Sequence, residues 1–213
     1  MHPSSIFHTD AEAARAIIAQ SPLATIAANG PDGPVVAVVP LVWSEDQSKL
    51  IGHVARTNTF WDVLQNQTPA VTAVFRSDDA YVSASAYPSK AAHGKVVPTW
   101  NYIAAEARGE LTFKTDLNAI RDSVSALSDQ MEAERETPWA VTDAPDRYID
   151  KLANAIVAFE IRVSTLKGVR KLSQNKSETD RAGVVSDLMK HDARAERLAN
   201  EMNLETRARD TCP

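Results

Sequence analysis

A run of turn-forming residues between two apolar segments limits the fold of this chain more than any other feature. Residues 29–34 read Asn-Gly-Pro-Asp-Gly-Pro, and these residue types favour tight turns. Residues 23–28 before the run and residues 35–43 after it are mostly apolar. Two such segments joined by a short turn pair as an antiparallel hairpin. Residues 35–43 are apolar at both alternating sets of positions, which predicts a strand covered on both faces.

The rest of the chain alternates strand patterns with helical patterns. We predict further strands over residues 49–54, 70–75, 80–84, 99–114 and 155–166, and helices over residues 10–20, 58–64, 116–135, 145–154 and 177–203. Residues 76–79 predict a polar turn, and residues 87–95 predict a loop. His191-Asp192 predicts a break between two helices, and the residues after Leu204 predict a disordered tail. Short strands in hairpin order with helices inserted between them predict an α+β fold, an antiparallel barrel with peripheral helices.

The cysteine content and the length of the apolar runs indicate the cellular compartment in which we expect the protein. The only cysteine is Cys212, beside the C-terminus, so the chain forms no internal disulfide and no cysteine metal site. Residues 1–10 contain no apolar signal stretch, and the apolar run at residues 34–43 is too short for a membrane helix, which needs about 20 residues. We therefore expect a cytoplasmic protein with a hydrophobic core and no membrane contact.

Charge is distributed unevenly along the sequence. The net charge of −5 argues against direct DNA binding, because surfaces that bind nucleic acid are basic. Residues 178–203, which could be imagined as a helix-turn-helix, hold six acidic and four basic residues. The stretch over residues 162–176 has no acidic residue and five basic ones, namely Arg162, Lys167, Arg170, Lys171 and Lys176. It indicates an anion site or a solvated strand face, and the residues alone favour neither.

The first candidate motif is Val97-Pro98-Thr99-Trp100-Asn101-Tyr102. Pro98 suits the first residue of a strand because it fixes φ and donates no hydrogen bond. After it, Trp100 and Tyr102 point to one face, and Thr99 and Asn101 point to the other. Aromatic surface with short polar groups is what a planar ligand with polar edges needs. The alternative is an aromatic-rich strand that packs in a core.

The second candidate motif is Lys171-Leu172-Ser173-Gln174-Asn175-Lys176. Three consecutive hydroxyl or amide side chains lie between two lysines. A core strand would not tolerate so many polar groups without partners. The motif therefore predicts either an exposed loop or a polar binding site.

With His53-Val54-Ala55-Arg56-Thr57-Asn58, Tyr81-Val82-Ser83 and Pro138-Trp139, the two motifs follow one another in an order that resembles the PaiB family of FMN-binding split-barrel proteins. The resemblance covers residues 6–188, and the family is often described as negative transcriptional regulators. It implies a split β-barrel over residues 1–168. Residues 169–213 are then a cofactor-facing motif, helices and a tail of the same structural unit. It further implies FMN as the cofactor and a homodimer.

The resemblance also implies which residues contact the cofactor. They are His53, Ala55, Arg56, Asn58, Ser83, Ser85, Thr99, Trp100, Asn101, Tyr102, Lys171, Ser173, Gln174, Asn175 and Lys176. A helix that begins at Asn58 would offer its N-terminus to an anion, and Arg56 could fork onto a phosphate. The alternatives are a structural histidine at His53, a surface ion pair at Arg56, and plain strand hydroxyls at Ser83 and Ser85.

Three function classes follow. The first is a flavin protein, either an FMN-dependent oxidoreductase or a flavin sensor with an indirect regulatory effect. The second is a transcriptional repressor that acts through DNA or a protein partner, and the third is a haem-binding or haem-degrading protein with His53 as ligand. No residue stands out as a general acid or base, so the sequence names no catalytic residue. The five histidines show no close pairing, which predicts no metal site.

Two further expectations concern the cofactor and the assembly. One compact basic stretch suffices for a single terminal phosphate, and no Rossmann glycine motif is present, which favours FMN over FAD. The apolar residues 35–43 exceed what one small barrel interior needs, which favours a contact with a second copy. Because the motifs at residues 97–102 and 171–176 are far apart in sequence, we expect each flavin site to draw on both chains.

Overall fold

The computed structural model of the protein describes residues 2–210, and of residues 206–210 only the backbone. The strands are β1 (His8–Thr9), β2 (Leu23–Gly30), β3 (Gly33–Pro40), β4 (Val42–Trp43), β5 (Lys49–Ala55), β6 (Ala70–Val82), β7 (Thr99–Lys114) and β8 (Ile156–Lys171). The helices are α1 (Ala11–Gln20), α2 (Thr59–Leu64), α3 (Ser89–His93), α4 (Leu117–Glu132), α5 (Asp146–Ala153), α6 (Glu178–Leu188) and α7 (Ala193–Asp210).

The strands form one sheet in the order β3-β2-β6-β7-β8-β5-β4, with β1 beside β8. The pairs β1–β8, β2–β3, β2–β6, β4–β5 and β5–β8 are all antiparallel. Within the described residues, β3 and β4 are the two ends of this order, so the sheet is not closed. The predicted α+β class with an antiparallel sheet and peripheral helices is confirmed.

The predicted hairpin is present in β2 and β3. Its register runs from Leu23 opposite Pro40 to Gly30 opposite Gly33, and Gly33 adopts a φ of 123° that a side chain would disfavour. One face of the hairpin is buried, but Val36 and Val38 on β3 are 56% and 63% exposed. The expectation that both faces of this strand are covered is therefore wrong for the described residues of one chain.

The chain divides into two compact units whose segments interleave in sequence. The first unit contains Met1–Ile17, Arg76–Ala105 and Lys167–Pro213, and the second contains Ile18–Phe75 and Glu106–Leu166. In the second unit, Asp116 is the N-cap of α4, and its carboxylate accepts a hydrogen bond from the Ala119 amide at 2.9 Å. Ile120 of α4 then packs with Ala153 and Ala158 in a buried cluster.

Four local predictions are corrected by the structure. Residues 76–79 are not a turn, because β6 runs without interruption from Ala70 to Val82. Their charges are accommodated by an ion pair of 2.6 Å between Arg76 and Asp79. A short helix, α3, lies in the predicted loop, and β8 extends to Lys171. The predicted tail is helical to Asp210, while residues 211–213, with Cys212, lie outside the described residues.

Among residues 2–210, none of the helices combines the length and the apolar character needed to cross a bilayer.

Candidate functional site

The most promising site is a cavity of about 340 Å³ in the first unit, which we call the lysine cavity. The second motif contributes Lys171, Ser173, Asn175 and Lys176 to its walls. Pro98 and Thr99 of the first motif also line it. Its volume is within the range of small-molecule sites. No acidic residue is among the described residues that line it, although the buried Asp180 lies close enough to interact with the charge of Lys176.

The two lysines are held by different contacts. The Lys171 ammonium donates to Thr99 Oγ1 at 2.8 Å and to the Trp100 carbonyl. Burial lowers the pKa of Lys171, and the charge of Lys176 lowers it further. The Lys176 ammonium lies 5.2 Å from the centroid of the Tyr87 ring. A bound anion would relieve the repulsion between the lysines and compensate for the burial of Lys171.

Tyr87 supplies a buried polar group to the same cavity. Its side chain is 1% exposed, and its hydroxyl makes no hydrogen bond within the described structure. Burial raises the pKa of this phenol, and the charge of Asp180 raises it further. The Ser173 hydroxyl is near enough to offset part of this rise, but it lies outside hydrogen-bond geometry. A buried hydroxyl without a partner is unusual and costly. A polar ligand in the lysine cavity would supply the missing partner.

The loop after β8 has an uncommon backbone. Ser173 has a φ of 62°, in the left-handed region that residues with a side chain rarely adopt. Its hydroxyl accepts a hydrogen bond from the Asn101 amide at 2.9 Å, and its carbonyl accepts one from the Lys176 amide at 3.0 Å. These bonds fix a tight turn that brings Lys176 back to the cavity wall reached by Lys171. Backbone strain of this kind is often found at functional sites.

The first motif is divided between two places. Thr99 lines the lysine cavity, whereas Trp100 lines a second cavity of about 390 Å³ together with Tyr81. The rings of Trp100 and Tyr81 meet edge to face at 6.0 Å, and both are more than half exposed. Asn101 is fully buried and bonded to Ser173 and Met202, so the structure places it in the core rather than on a cavity wall.

Other predicted side chains of the first unit serve the local fold. Gln174 Oε1 accepts a hydrogen bond from the Leu172 amide at 2.7 Å, and its amide nitrogen donates to the Arg170 carbonyl, which closes the loop. Ser83 accepts a hydrogen bond from the Ser85 amide at 3.1 Å. The Ser85 hydroxyl accepts one from Lys90 at 2.9 Å. Tyr102 is half-buried, and burial raises the pKa of its phenol.

The motif at residues 53–58 lies in the second unit, at the junction of β5 and α2. Asn58 is the N-cap of α2, and its side-chain oxygen accepts a hydrogen bond from the Phe60 amide at 2.8 Å. Arg56 Nε donates to the Asn154 carbonyl at 2.9 Å, while its two terminal nitrogens make no hydrogen bond to the described residues. Ala55 is the exposed last residue of β5. Arg56 therefore keeps donors available for a ligand, whereas the Asn58 oxygen is already used.

His53 is on the face of β5 that helices cover. It is directly opposite Ala158 of β8, and Ala158 packs against Ile120 and Ala153. Its Nδ1 is buried and has no hydrogen-bond partner among the described residues. Burial lowers the pKa of this imidazole, so it is neutral near pH 7.

The structure shows which basic residues of the stretch 162–176 pair with acidic residues and which line a cavity. Arg162 pairs with Glu110 at 2.9 Å, and Arg170 pairs with Glu201. Lys171 and Lys176 are the members of the stretch that line a cavity. The sequence therefore located the charge, and the structure shows which cations face a cavity.

Three polar residues of the lysine cavity were missed from the sequence. They are Tyr87, His2 and Ser4. The only sequence signal for Tyr87 is that it precedes Pro88 in a segment predicted as a loop. Nothing in the pattern of residues 2–4 pointed to a site. Among the described residues, no group of three or more histidine, cysteine, aspartate or glutamate side chains could hold a metal ion.

The open antiparallel sheet with peripheral helices is the architecture of a flavin-binding split-barrel protein, and comparison with known proteins agrees with this class. A family model described as "Putative FMN-binding domain" matches residues 1–165, and the chain belongs to this family. The predicted resemblance and the prediction of FMN as the cofactor are thereby confirmed. The second motif, at residues 171–176, lies beyond the matched residues.

Relatives with known sequences extend the comparison. The chain is 25% identical over 182 residues to the protease synthase and sporulation protein PAI 2 of Bacillus subtilis, which covers 84% of each chain. It is 38% identical over 116 residues to an uncharacterized protein of Emericella nidulans, covering 50% of this chain and 46% of that protein. It therefore spans less than half the length of that fungal relative.

Solved structures share the fold. The FAD and haem binding protein of Mycobacterium smegmatis aligns with a TM-score of 0.59 at 17% identity, covering 82% of this chain and 78% of that chain. The flavocytochrome Anf3 of Azotobacter vinelandii aligns with the same TM-score at 15% identity, covering 85% and 78%. At these identities the similarity establishes the fold alone.

Proposed function

We propose that the chain binds FMN with its phosphate in the lysine cavity and acts as a flavin-dependent oxidoreductase or flavin sensor. The observation that carries the proposal is a cavity with Lys171 and Lys176 in its wall and no acidic residue among its described lining residues. Two ammonium groups suit the charge of one terminal phosphate. The buried Tyr87 hydroxyl supplies a further donor without a present partner. The residues present therefore fit the phosphate end of FMN.

The other predicted contacts belong to the proposal in different roles. Thr99 holds the Lys171 ammonium, and Ser173 and Asn101 fix the turn between the lysines, so these residues position the phosphate ligands. Trp100 and Tyr102 are proposed as surface for the flavin ring. Arg56, in the second unit, is a separate candidate contact. Bound FMN supplies one- and two-electron redox chemistry, and the protein supplies its binding and orientation.

Flavin titrations of the purified protein test this proposal. Wild-type protein is expected to bind FMN more tightly than riboflavin, because only FMN carries the phosphate. Replacing both lysines by alanine should weaken FMN by more than about tenfold, since a charge-assisted contact contributes about 1.5–3 kcal/mol. Riboflavin affinity should change little. Fluorescence quenching of each flavin gives the dissociation constants, and mass spectrometry of the bound flavin distinguishes FMN from FAD.

A matched control is the double variant Lys95→Ala/Lys151→Ala, which removes two exposed lysines that do not line the cavity. It should bind FMN as the wild type does. Equal losses of FMN and riboflavin in the Lys171→Ala/Lys176→Ala variant would mean that these lysines support the fold or the ring and not the phosphate. An absorption spectrum with a Soret band instead of flavin bands would favour the haem alternative.

We further propose that any regulatory effect is indirect. Two of the basic residues of α7 are engaged within the first unit, because Arg197 pairs with Asp78 at 2.8 Å and Arg194 lies 3.6 Å from Asp79. Both are then poor candidates for phosphate contacts with DNA. Nanomolar, sequence-dependent binding in an anisotropy assay at physiological salt would instead establish a DNA-binding repressor.

The assembly that we propose is a homodimer whose two flavin sites draw on both chains. The separation of the two motifs in sequence no longer supports shared sites, because Thr99 and Lys171 meet within one chain. Leu23, Val36 and Val38 are each more than half exposed on β2 and β3. Monomers rarely leave such apolar strand surface in water, and a second copy would bury it in a two-fold contact. FMN should then tighten the dimer, and dilution should release FMN. Sedimentation over a concentration series tests this, and an FMN-loaded monomer at high dilution would rule out shared sites.

A further inference from the structure

The first described residues of the chain form part of the lysine cavity. We call residues 2–9 the strap. His2, Ser4, Ile6 and Phe7 of the strap line the same cavity as Lys171 and Lys176. Neither the sequence motifs nor the family comparison points to these residues as a binding element.

Several contacts fix the strap in place. Its end is β1, where His8 is paired with Val169 and Thr9 with Gly168 of β8. This close approach requires glycine at position 168, because a Cβ there would collide with the Thr9 side chain. Phe7 is 5% exposed and acts as the apolar anchor. The strap is therefore a built wall of the cavity.

The polar groups of the strap are arranged as donors. His2 Nδ1 accepts a hydrogen bond from the Ser4 amide at 3.1 Å. A neutral imidazole that accepts at Nδ1 carries its proton on Nε2, so Nε2 is the donor. The ring meets Phe7 edge to face at 4.6 Å, and the His2 carbonyl accepts a hydrogen bond from His8 Nε2 at 2.6 Å. Both the imidazole ring and the backbone carbonyl of His2 are therefore held in place.

The Ser4 hydroxyl is the second available group. It makes no hydrogen bond to any of the described residues, although the residue is half-buried at the cavity wall. A hydroxyl can donate to an anion without a change of charge. Together with His2 Nε2, it adds two neutral donors to the two ammonium groups.

We propose that the strap completes the anion site: His2 Nε2 and the Ser4 hydroxyl donate to the same phosphate group that Lys171 and Lys176 hold. This inference rests on the proposed FMN function of the lysine cavity. It assigns the strap a role in recognising the phosphate end of the ligand. The chemical class recognised is a phosphate monoester, and the strap should not contribute to affinity for a flavin that lacks it.

The test uses the full chain with the double variant His2→Ala/Ser4→Ala. FMN affinity should fall by about fivefold or more, because two neutral hydrogen bonds are lost. Riboflavin affinity should stay within about twofold of the wild type, because riboflavin has no phosphate for these donors. The conservative variant His2→Gln/Ser4→Thr keeps an amide donor and a hydroxyl, and it should recover part of the loss. Fluorescence quenching gives both affinities, and stopped-flow dilution gives the FMN release rate.

The control is His93→Ala/Ser186→Ala, which removes the same residue types from exposed positions that do not line the cavity. It should bind both flavins as the wild type does. Unchanged FMN affinity in His2→Ala/Ser4→Ala, or an equal loss for FMN and riboflavin, would overturn the role of the strap in phosphate recognition while leaving the FMN function intact. If wild-type protein binds no FMN, the proposed function fails, and the strap proposal fails with it.

Discussion

Two polar motifs of this chain look alike in sequence and differ in structure. Residues 53–58 and residues 171–176 each end a strand, and each combines basic with amide side chains. At residues 53–58, the Asn58 oxygen caps α2 and Arg56 Nε donates to the Asn154 carbonyl. At residues 171–176, both lysines line a cavity without an acidic neighbour in its described wall. The first motif mainly completes its own fold, whereas the second places both of its lysines in the wall of a cavity.

The backbone explains much of this difference. The chain after β5 enters a helix at once, so the polar side chain at the junction is needed to satisfy the free amides of the first turn. The chain after β8 instead makes a tight turn through Ser173 in the left-handed region. That turn is stabilised by the buried hydrogen bond between Ser173 and Asn101, not by the lysines. The lysine side chains are therefore not needed to hold the turn, although the Lys171 ammonium also donates to Thr99 Oγ1 and to the Trp100 carbonyl.

The contrast between the two motifs can be tested by substitution, and the largest expected effect is the loss of stability in Ser173→Ala. Ser173→Ala removes the hydroxyl that accepts from Asn101. Among the described residues, that fully buried amide nitrogen is then left with the Met202 sulfur at 3.6 Å as its acceptor. The free energy of unfolding should fall by about 1–3 kcal/mol, the cost of an unsatisfied buried polar group. Ser173→Gly should lose less, because glycine relieves the left-handed strain. Urea unfolding measures both, and a Ser173→Ala variant as stable as the wild type would show that the turn does not depend on this bond.

Substitution of Asn58 should have the next largest effect, and it should change the stability of the fold rather than FMN binding. Asn58→Ala removes the N-cap of α2 and should cost about 1 kcal/mol of unfolding free energy. Asn58→Asp keeps an acceptor oxygen and should remain close to the wild type. FMN affinity of the folded Asn58→Ala protein should stay within about twofold, since the side chain is used by the helix. A large loss of FMN affinity at unchanged stability would instead place Asn58 against the ligand.

Sequence reasoning succeeded where a pattern is local and failed where partners come from distant segments. The turn at residues 29–34 predicted the hairpin, and Asp116 predicted the start of α4, because caps and turns depend on neighbouring residues. The polar residues 76–79 were wrongly predicted to form a turn. They continue a strand because Asp78 pairs with Arg197 and Asp79 with Arg194, and these partners come together only in the folded chain. Tyr87 and the strap were missed for the same reason: the lysine cavity gathers them from separate parts of the chain.

The smallest effect expected is that of Arg56, and it tests whether the junction of β5 and α2 contributes to FMN binding. Its terminal nitrogens are available, but it is a single, partly exposed guanidinium held at Nε by the Asn154 carbonyl. An ionic contact near the surface contributes about 0.2–1 kcal/mol, so Arg56→Ala should weaken FMN by less than about fivefold. The paired lysine variant should lose more than about tenfold, because Lys171 is partly buried and both charges act on one group. Titration of Arg56→Ala with FMN and riboflavin, beside Arg147→Ala as an exposed arginine control in the same unit, measures the difference. If Arg56→Ala loses as much FMN affinity as the lysine pair and leaves riboflavin unchanged, the phosphate contact belongs to the junction of β5 and α2, and the roles assigned to the two motifs are reversed.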